Sequence, residues 1–192
     1  MSQDAAIIAA TCNWVERAVI GLNLCPFAKA AQRRGQVRYV VSRAKTDDAL
    51  LADLRAELHH LAATPADETD NTLLIHPDVL QDFFAFQSFL PRTEAAVRKA
   101  GFAGVLQIAS FHPDYEFADA EPDDLGNLTN RAPYPTLHLL REDSITAAVS
   151  AFPAAESIYE RNLTTLNALG REGWEKLGIK PVGDDREADS GV

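Results

Sequence analysis

An α/β fold built on a mixed four-stranded sheet is predicted by three features of the 192-residue sequence. Several segments carry apolar residues at helical three- and four-residue steps. Short β-branched runs alternate with those segments, and the last two such runs are joined with no helix between them. The order strand-helix-strand-helix-strand-strand-helix puts helical crossovers between the first three strands, which favours parallel pairing, and allows an antiparallel fourth. Thioredoxin-like folds share this order, a ferredoxin-like arrangement is the alternative, and extra helices stand at both termini. The length predicts a single domain over 1–178 followed by a flexible tail from Ile179.

Each element has a local cause. Ile7, Ala10, Trp14, Ala18 and Leu22 form a helical stripe opened by Ser2, with Asp4 in the first turn and Trp14 as core anchor. Pro26 suits the first position of a short helix to Arg34 that Gly35 closes. Gln36 to Ser42 is the first strand. Thr46, Asp47 and Asp48 open a helix that buries Leu50, Leu54, Leu58 and Leu61 and ends at Pro65. Thr72 to His76 is a buried strand. Asp78 is the expected cap of a helix burying Val79, Phe83, Phe86 and Leu90, kinked or broken at Pro91 and reaching Gly101. Val105 to Ser110 and Thr136 to Arg141 are the last strands. Helices over Asp143 to Phe152 and Pro153 to Gly170 follow, the second with Tyr159, Leu163, Leu166 and Leu169 inward.

Composition narrows the function. With 18 basic against 28 acidic residues, a formal charge of -10, the chain opposes unspecific binding to nucleic acid or anionic membrane. It has no apolar run long enough to span a bilayer, and its start lacks the order of a secretory signal, so a cytoplasmic location is expected. There Cys12 and Cys25 are free thiols, and the glycosylation patterns at Asn127 and Asn162 carry no meaning. No motif implies a cofactor.

Chemistry concentrates at few positions. Cys25 precedes Pro26, so a helix starting there would hold the thiol at its positive end and favour thiolate. Seven basic residues from Arg17 to Lys45, with no carboxylate among them, add to that bias. Ala28 occupies the place of a resolving cysteine, which excludes a dithiol cycle. Packing is the alternative role for Cys25 and the expected one for Cys12.

His-Pro-Asp occurs twice, at His76 and His112, each time directly after a strand. If those strands are parallel, both histidines lie at the carboxyl edge where such sheets bind ligands. His76 is read as incidental to a helix start. His112 opens a loop from Phe111 to Pro135 with four prolines, one glycine and no periodicity, long enough to imply function. The loop's carboxylates form either a solvated face or a lid over the basic segment around Cys25. A metal held by His112, His76 or loop carboxylates is a third possibility, although no spacing matches a chelating motif, so no metal ligand is assigned. Further on, Asn130-Arg131 precedes Pro133-Tyr134-Pro135, where both X-Pro bonds are candidates for cis geometry. A rigidly held Arg131 suits bidentate anion capture, with Arg141 as a second cation, while His138 on the opposite strand face reads as a core histidine and His59 and His60 as surface residues.

These same residues carry a resemblance. Val19 to Ala28, including Asn23-Leu24-Cys25-Pro26, then Ser110 to Tyr115, Asn130 to Pro135 and Leu137 to Arg141, resemble an uncharacterised bacterial family, domain of unknown function 1415, over about Trp14 to Trp174. The resemblance implies no activity. Serine is usual in the family where this chain has Ala132, which removes a hydroxyl nucleophile there.

The expected function is a small enzyme acting on an anionic metabolite, with Cys25 as nucleophile, His112 as acid or base oriented by Asp114, and Asn23, Asn130, Arg131, Tyr134 and Arg141 binding substrate. The alternative is a non-catalytic module that holds an anionic small molecule through Asn130, Arg131 and Arg141.

Overall fold

A computed structural model describes residues 2–151 and 157–182. Helix α1 (Gln3–Trp14) is capped by the Ser2 hydroxyl, which accepts from the Ala5 N–H, and it widens into a π-helical stretch over Val15–Ile20. Ile7, Trp14 and Ala18 are buried as the stripe predicts, whereas Ala10 and Leu22 are only half-buried. The short helix α2 spans Ala28–Arg33 and Gly35, at φ 67°, terminates it. It therefore starts later than Pro26 suggested. Cys25 lies in the preceding turn, outside a helix of only six residues, so the argument from a helix end no longer applies to its thiol.

Strand β1 (Val37–Val41) leads to α3 (Asp47–Ala63), capped by Thr46, and all four leucines of its predicted stripe are 0% exposed. Strand β2 (Asn71–Ile75) is buried throughout. Helix α4 (Phe83–Lys99) is capped by Asp82 rather than Asp78: its carboxylate accepts from the Ala85 N–H at 2.8 Å. The intervening turn places Leu80 at φ 57°, and the helix runs through Pro91 without breaking. Strand β3 (Leu106–Phe111), a 3-10 turn at Leu125–Asn130, strand β4 (Thr136–Arg141), α5 (Glu142–Ala151) and α6 (Ile158–Glu175) complete the chain. The predicted helix ends at Phe152 and Pro153 lie outside the described residues.

The sheet order is β1-β2-β4-β3. Strands β1 and β2 are parallel, and β4 runs antiparallel to both β2 and β3, so β1, β2 and β3 share one direction. The mixed sheet and the strand-helix order are as expected, with β1 an edge strand; the ferredoxin-like order, two successive strands after the first helix, is absent from the described residues. One face, with Leu74, Leu137 and Leu139, packs on α3 and α4 through Leu54, Phe86 and Phe89. On the other, Leu73 and Ala132 meet Trp14, Val15 and Ala18. Each large apolar side chain buried this way contributes about 1.5–3 kcal/mol.

The C-terminal region departs from its pattern in three ways. Tyr159 is 61% exposed and Asn162 is buried in its stead. Gly170, at φ 67° and ψ 176°, kinks α6 instead of ending it. Ile179, placed in a flexible tail by the sequence, packs against the cluster around Trp14, and the Val182 N–H donates to the Tyr134 hydroxyl at 2.7 Å. Among the described residues no helix is long and apolar enough to cross a membrane.

Candidate functional site

The parallel direction of β2 and β3 brings both His-Pro-Asp histidines to one rim. Each imidazole is bound there to the turn before α4. His76 Nδ1 donates to the Val79 carbonyl at 3.0 Å. His112 accepts the Asp114 N–H at Nδ1 (3.1 Å), so its proton resides on Nε2, which donates to the Leu80 carbonyl at 3.2 Å. Two successive carbonyls, the second belonging to the left-handed Leu80, are thus clamped by two rings that both pack near Phe86, with centroids 5.6 Å and 5.2 Å away. Desolvation lowers the His112 pKa and brings that of His76 down to about 4. His112 is 0% exposed and both its nitrogens are occupied, which leaves no lone pair for a proton transfer or a metal. Asp114 orients it through the main chain rather than through the carboxylate. His76, read as incidental, is the second clamp.

The long loop is internally bonded. Asn127 is 0% exposed; it accepts from the Phe117 N–H and donates to the Glu121 carbonyl. Asn130 donates to the Ser110 carbonyl. Arg131 ties the loop together from Nε to Tyr115 O and from Nη2 to Pro122 O, both at 3.1 Å. All X-Pro bonds among the described residues are trans. The loop's ion pair is Asp123 with Arg171 of α6, at 2.9 Å, and not with the basic segment. Within that segment, Arg38 and Arg43 pair with Glu57 and with Asp4 and Asp78. A lid closed on Cys25 by charge is not what forms.

Between this loop and the end of α6 lies a hollow of about 230 Å³. The kink at Gly170 redirects the last turn, and Arg171, Trp174 and Glu175, at the i, i+3 and i+4 positions of one face, line it opposite Arg131 and Pro113. Ile179 and Pro181 form a further wall. That wall is anchored at both ends, by the Arg17 guanidinium donating to the Leu177 carbonyl and by the Tyr134 hydroxyl accepting from Val182. Burial pushes the Arg131 guanidinium below its ordinary value; the Asp114 carboxylate opposes the shift and the charge of Arg171 adds to it. Two guanidiniums therefore act on one small space of mixed polar and apolar lining.

The other expected site residues lie elsewhere. Arg141 donates to the carbonyls of Leu61, Thr64 and Thr69, closing the C-terminal end of α3. Asn23, in the left-handed region at φ 55°, lines a separate hollow of about 350 Å³ beside α6 with Leu22 and Glu160. Cys25 is half-buried in a turn whose Leu24 carbonyl accepts from Asn162, and it lines neither hollow. Cys12 is half-buried too, and burial raises its pKa. His138 bonds Asn71, with burial holding its pKa at about 4, a satisfied core histidine as read; His59 and His60 are exposed. No group of three or more metal-ligating side chains occurs among the described residues. Cys25, His112 and Arg131 share neither hollow. Arg171, Trp174 and Glu175 escaped the sequence reading because Gly170 reads as a helix terminus; the i, i+3, i+4 spacing just beyond it was the available signal.

The family pattern described as "Protein of unknown function (DUF1415)" matches residues 6–176, and the chain belongs to that family. No curated protein and no solved structure matches it.

Proposed function

We propose that this member of the DUF1415 family is a binding protein for a small anionic molecule, held in the hollow between the long loop and the end of α6. The observation that carries the reading is the convergence of Arg131 and Arg171 on one hollow of about 230 Å³ whose walls include Pro113, Pro133 and Ile179. A concave, mainly apolar surface with a few convergent polar groups is the usual form of a ligand site. Guanidiniums present fork-like donors suited to carboxylate or phosphate. Arg131 is immobilised by the loop carbonyls of Tyr115 and Pro122, and Arg171 by Asp123, so little side-chain entropy remains to be lost on binding.

Binding is favoured over nucleophilic catalysis because the acid or base assigned to Cys25 is unavailable: His112 is buried with both ring nitrogens bonded. Asn130 and Tyr134 support the hollow by holding the loop and the C-terminal wall rather than by touching the ligand. Arg141 has no part in it.

Thermal unfolding in inorganic phosphate and in short carboxylates, at constant ionic strength, tests the reading. A specific site stabilises the folded state by about 2.7 kcal/mol when ligand is at 100 times its Kd. Arg171→Gln is expected to abolish the gain and Cys25→Ala to keep it. A gain that Arg171→Gln leaves intact, or that Cys25→Ala removes, overturns the proposal.

A further inference from the structure

Resting on that reading, we infer that the ligand is amphoteric, a small molecule with an anionic head and a protonated amine, and that Glu175 selects the amine. Glu175 lines the hollow together with both arginines, yet it pairs with neither. Arg171 stands four residues before it on the same helix, the spacing at which opposite charges commonly meet. Instead Arg171 turns its Nη2 to the carbonyl and carboxylate oxygens of Asp123, at 2.7 and 2.9 Å. Arg131 spends Nε and Nη2 on loop carbonyls. The rest of the lining is largely apolar, with Pro113, Pro133, Ile179 and Pro181 offering the carboxylate no side-chain donor. Among the described residues Glu175 has no base as partner. Elsewhere on the surface such i,i+4 pairs do form, as between Glu172 and Lys176 and between Glu94 and Arg98.

The lining is therefore dipolar: two cations from the loop and α6 on one side, and a carboxylate one helical turn further on. A purely anionic ligand would be attracted by the arginines and repelled by Glu175. A molecule carrying both charges pairs with both. At ~30 Å³ per water the hollow holds about eight water volumes, which suits an amino acid or a phosphorylated amine.

Two pairs of near-isosteric probes isolate the amine: 2-aminoethyl phosphate against ethyl phosphate, and β-alanine against propionate. Each is titrated into the full chain by NMR, with the indole N–H of Trp174, which lines the hollow, as the reporter. For at least one pair the amine-bearing member is expected to bind about two- to fivefold more tightly, the gain a solvent-exposed ion pair supplies. In Glu175→Gln that preference falls to unity while the amine-free probe binds as well or better. Amine-free probes that bind through Arg171 with no amine preference, or a preference that persists in Glu175→Gln, overturn the assignment to Glu175 and leave the anion site standing. If no probe of either pair shifts the Trp174 signal, the anion site falls and the amphoteric ligand with it.

Discussion

Replacing His76 with asparagine should flatten the acid limb of the stability profile. In the folded chain desolvation takes His76 from its ordinary 6.5 to about 4, and its ring is 0% exposed with Nε2 finding no hydrogen-bond partner among the described residues. The unfolded chain binds that proton near pH 6.5 and the folded one only near 4, so the unfolded state holds the extra proton between those values. Stability associated with His76 is complete above pH 6.5 and is lost as pH falls towards 4, to a total of about 3 kcal/mol at ~1.36 kcal/mol per pKa unit. In His76→Asn the amide can still donate to the Val79 carbonyl but cannot titrate. At pH 7 the variant should be about 1–2 kcal/mol less stable, through lost packing on Phe86. Urea unfolding at pH 7 and pH 4.5 gives the comparison: the drop between the two should be smaller in the variant by about 2–3 kcal/mol. His112 and His138, whose pKa values burial also lowers, act in the same direction in both proteins, and because the charge of His112 also lowers the His76 pKa, the difference reports His76 together with that coupling. Equal drops would mean that His76 is not held neutral, and the account of two imidazoles clamping the turn would fail.

Other outcomes follow from the same contacts. Asp82→Ala removes the cap of α4 and should cost about 1 kcal/mol in chemical unfolding, whereas Asp78→Ala loses only a surface pair with Arg43 and should cost less than about 0.5 kcal/mol; the reverse ranking would restore Asp78 as the cap. Arg141→Met strips three carbonyls of a charged donor and should destabilise by about 2–4 kcal/mol while leaving phosphate-dependent stabilisation unchanged; a lost phosphate response in a folded variant would put Arg141 in the site after all. Tyr134→Phe releases Val182 and should raise amide exchange at the C-terminal wall and weaken ligand binding severalfold, with about 1 kcal/mol lost in stability; unchanged exchange at Val182 would show that the hydroxyl does not anchor it.

Periodicity and caps served well wherever the cause was local. The leucines of α3 face inward because spacings of three and four residues leave them no other common face, and the Ser2 and Thr46 caps need only the amides that follow them. The same reasoning misplaced the start of α4, since Asp78 and Asp82 are both capable caps and the choice went to the one that follows the Leu80 turn. That turn depends on His112, thirty-two residues away in the chain. Cys25-Pro26 likewise looked like a helix start, but the turn is fixed by bonds to Val19 and to Asn162 of α6.

Candidate residues divide along the same line. Arg131 was singled out for its rigid setting and does line the hollow, while Arg141, of equal promise as a residue type, is consumed by carbonyls 72 to 80 residues away in the sequence. The existence and order of the helices and strands, the places of charged and nucleophilic groups in the chain, and the family to which it belongs could be read from the order of the amino acids, because each depends on neighbours within a few residues or on a linear pattern. Which histidines are buried away from water, which arginine lines a hollow, and that Glu175 stands near two guanidiniums without pairing came from the folded arrangement. Desolvation and charge pairing depend on which distant segments meet, and a linear pattern does not contain that information.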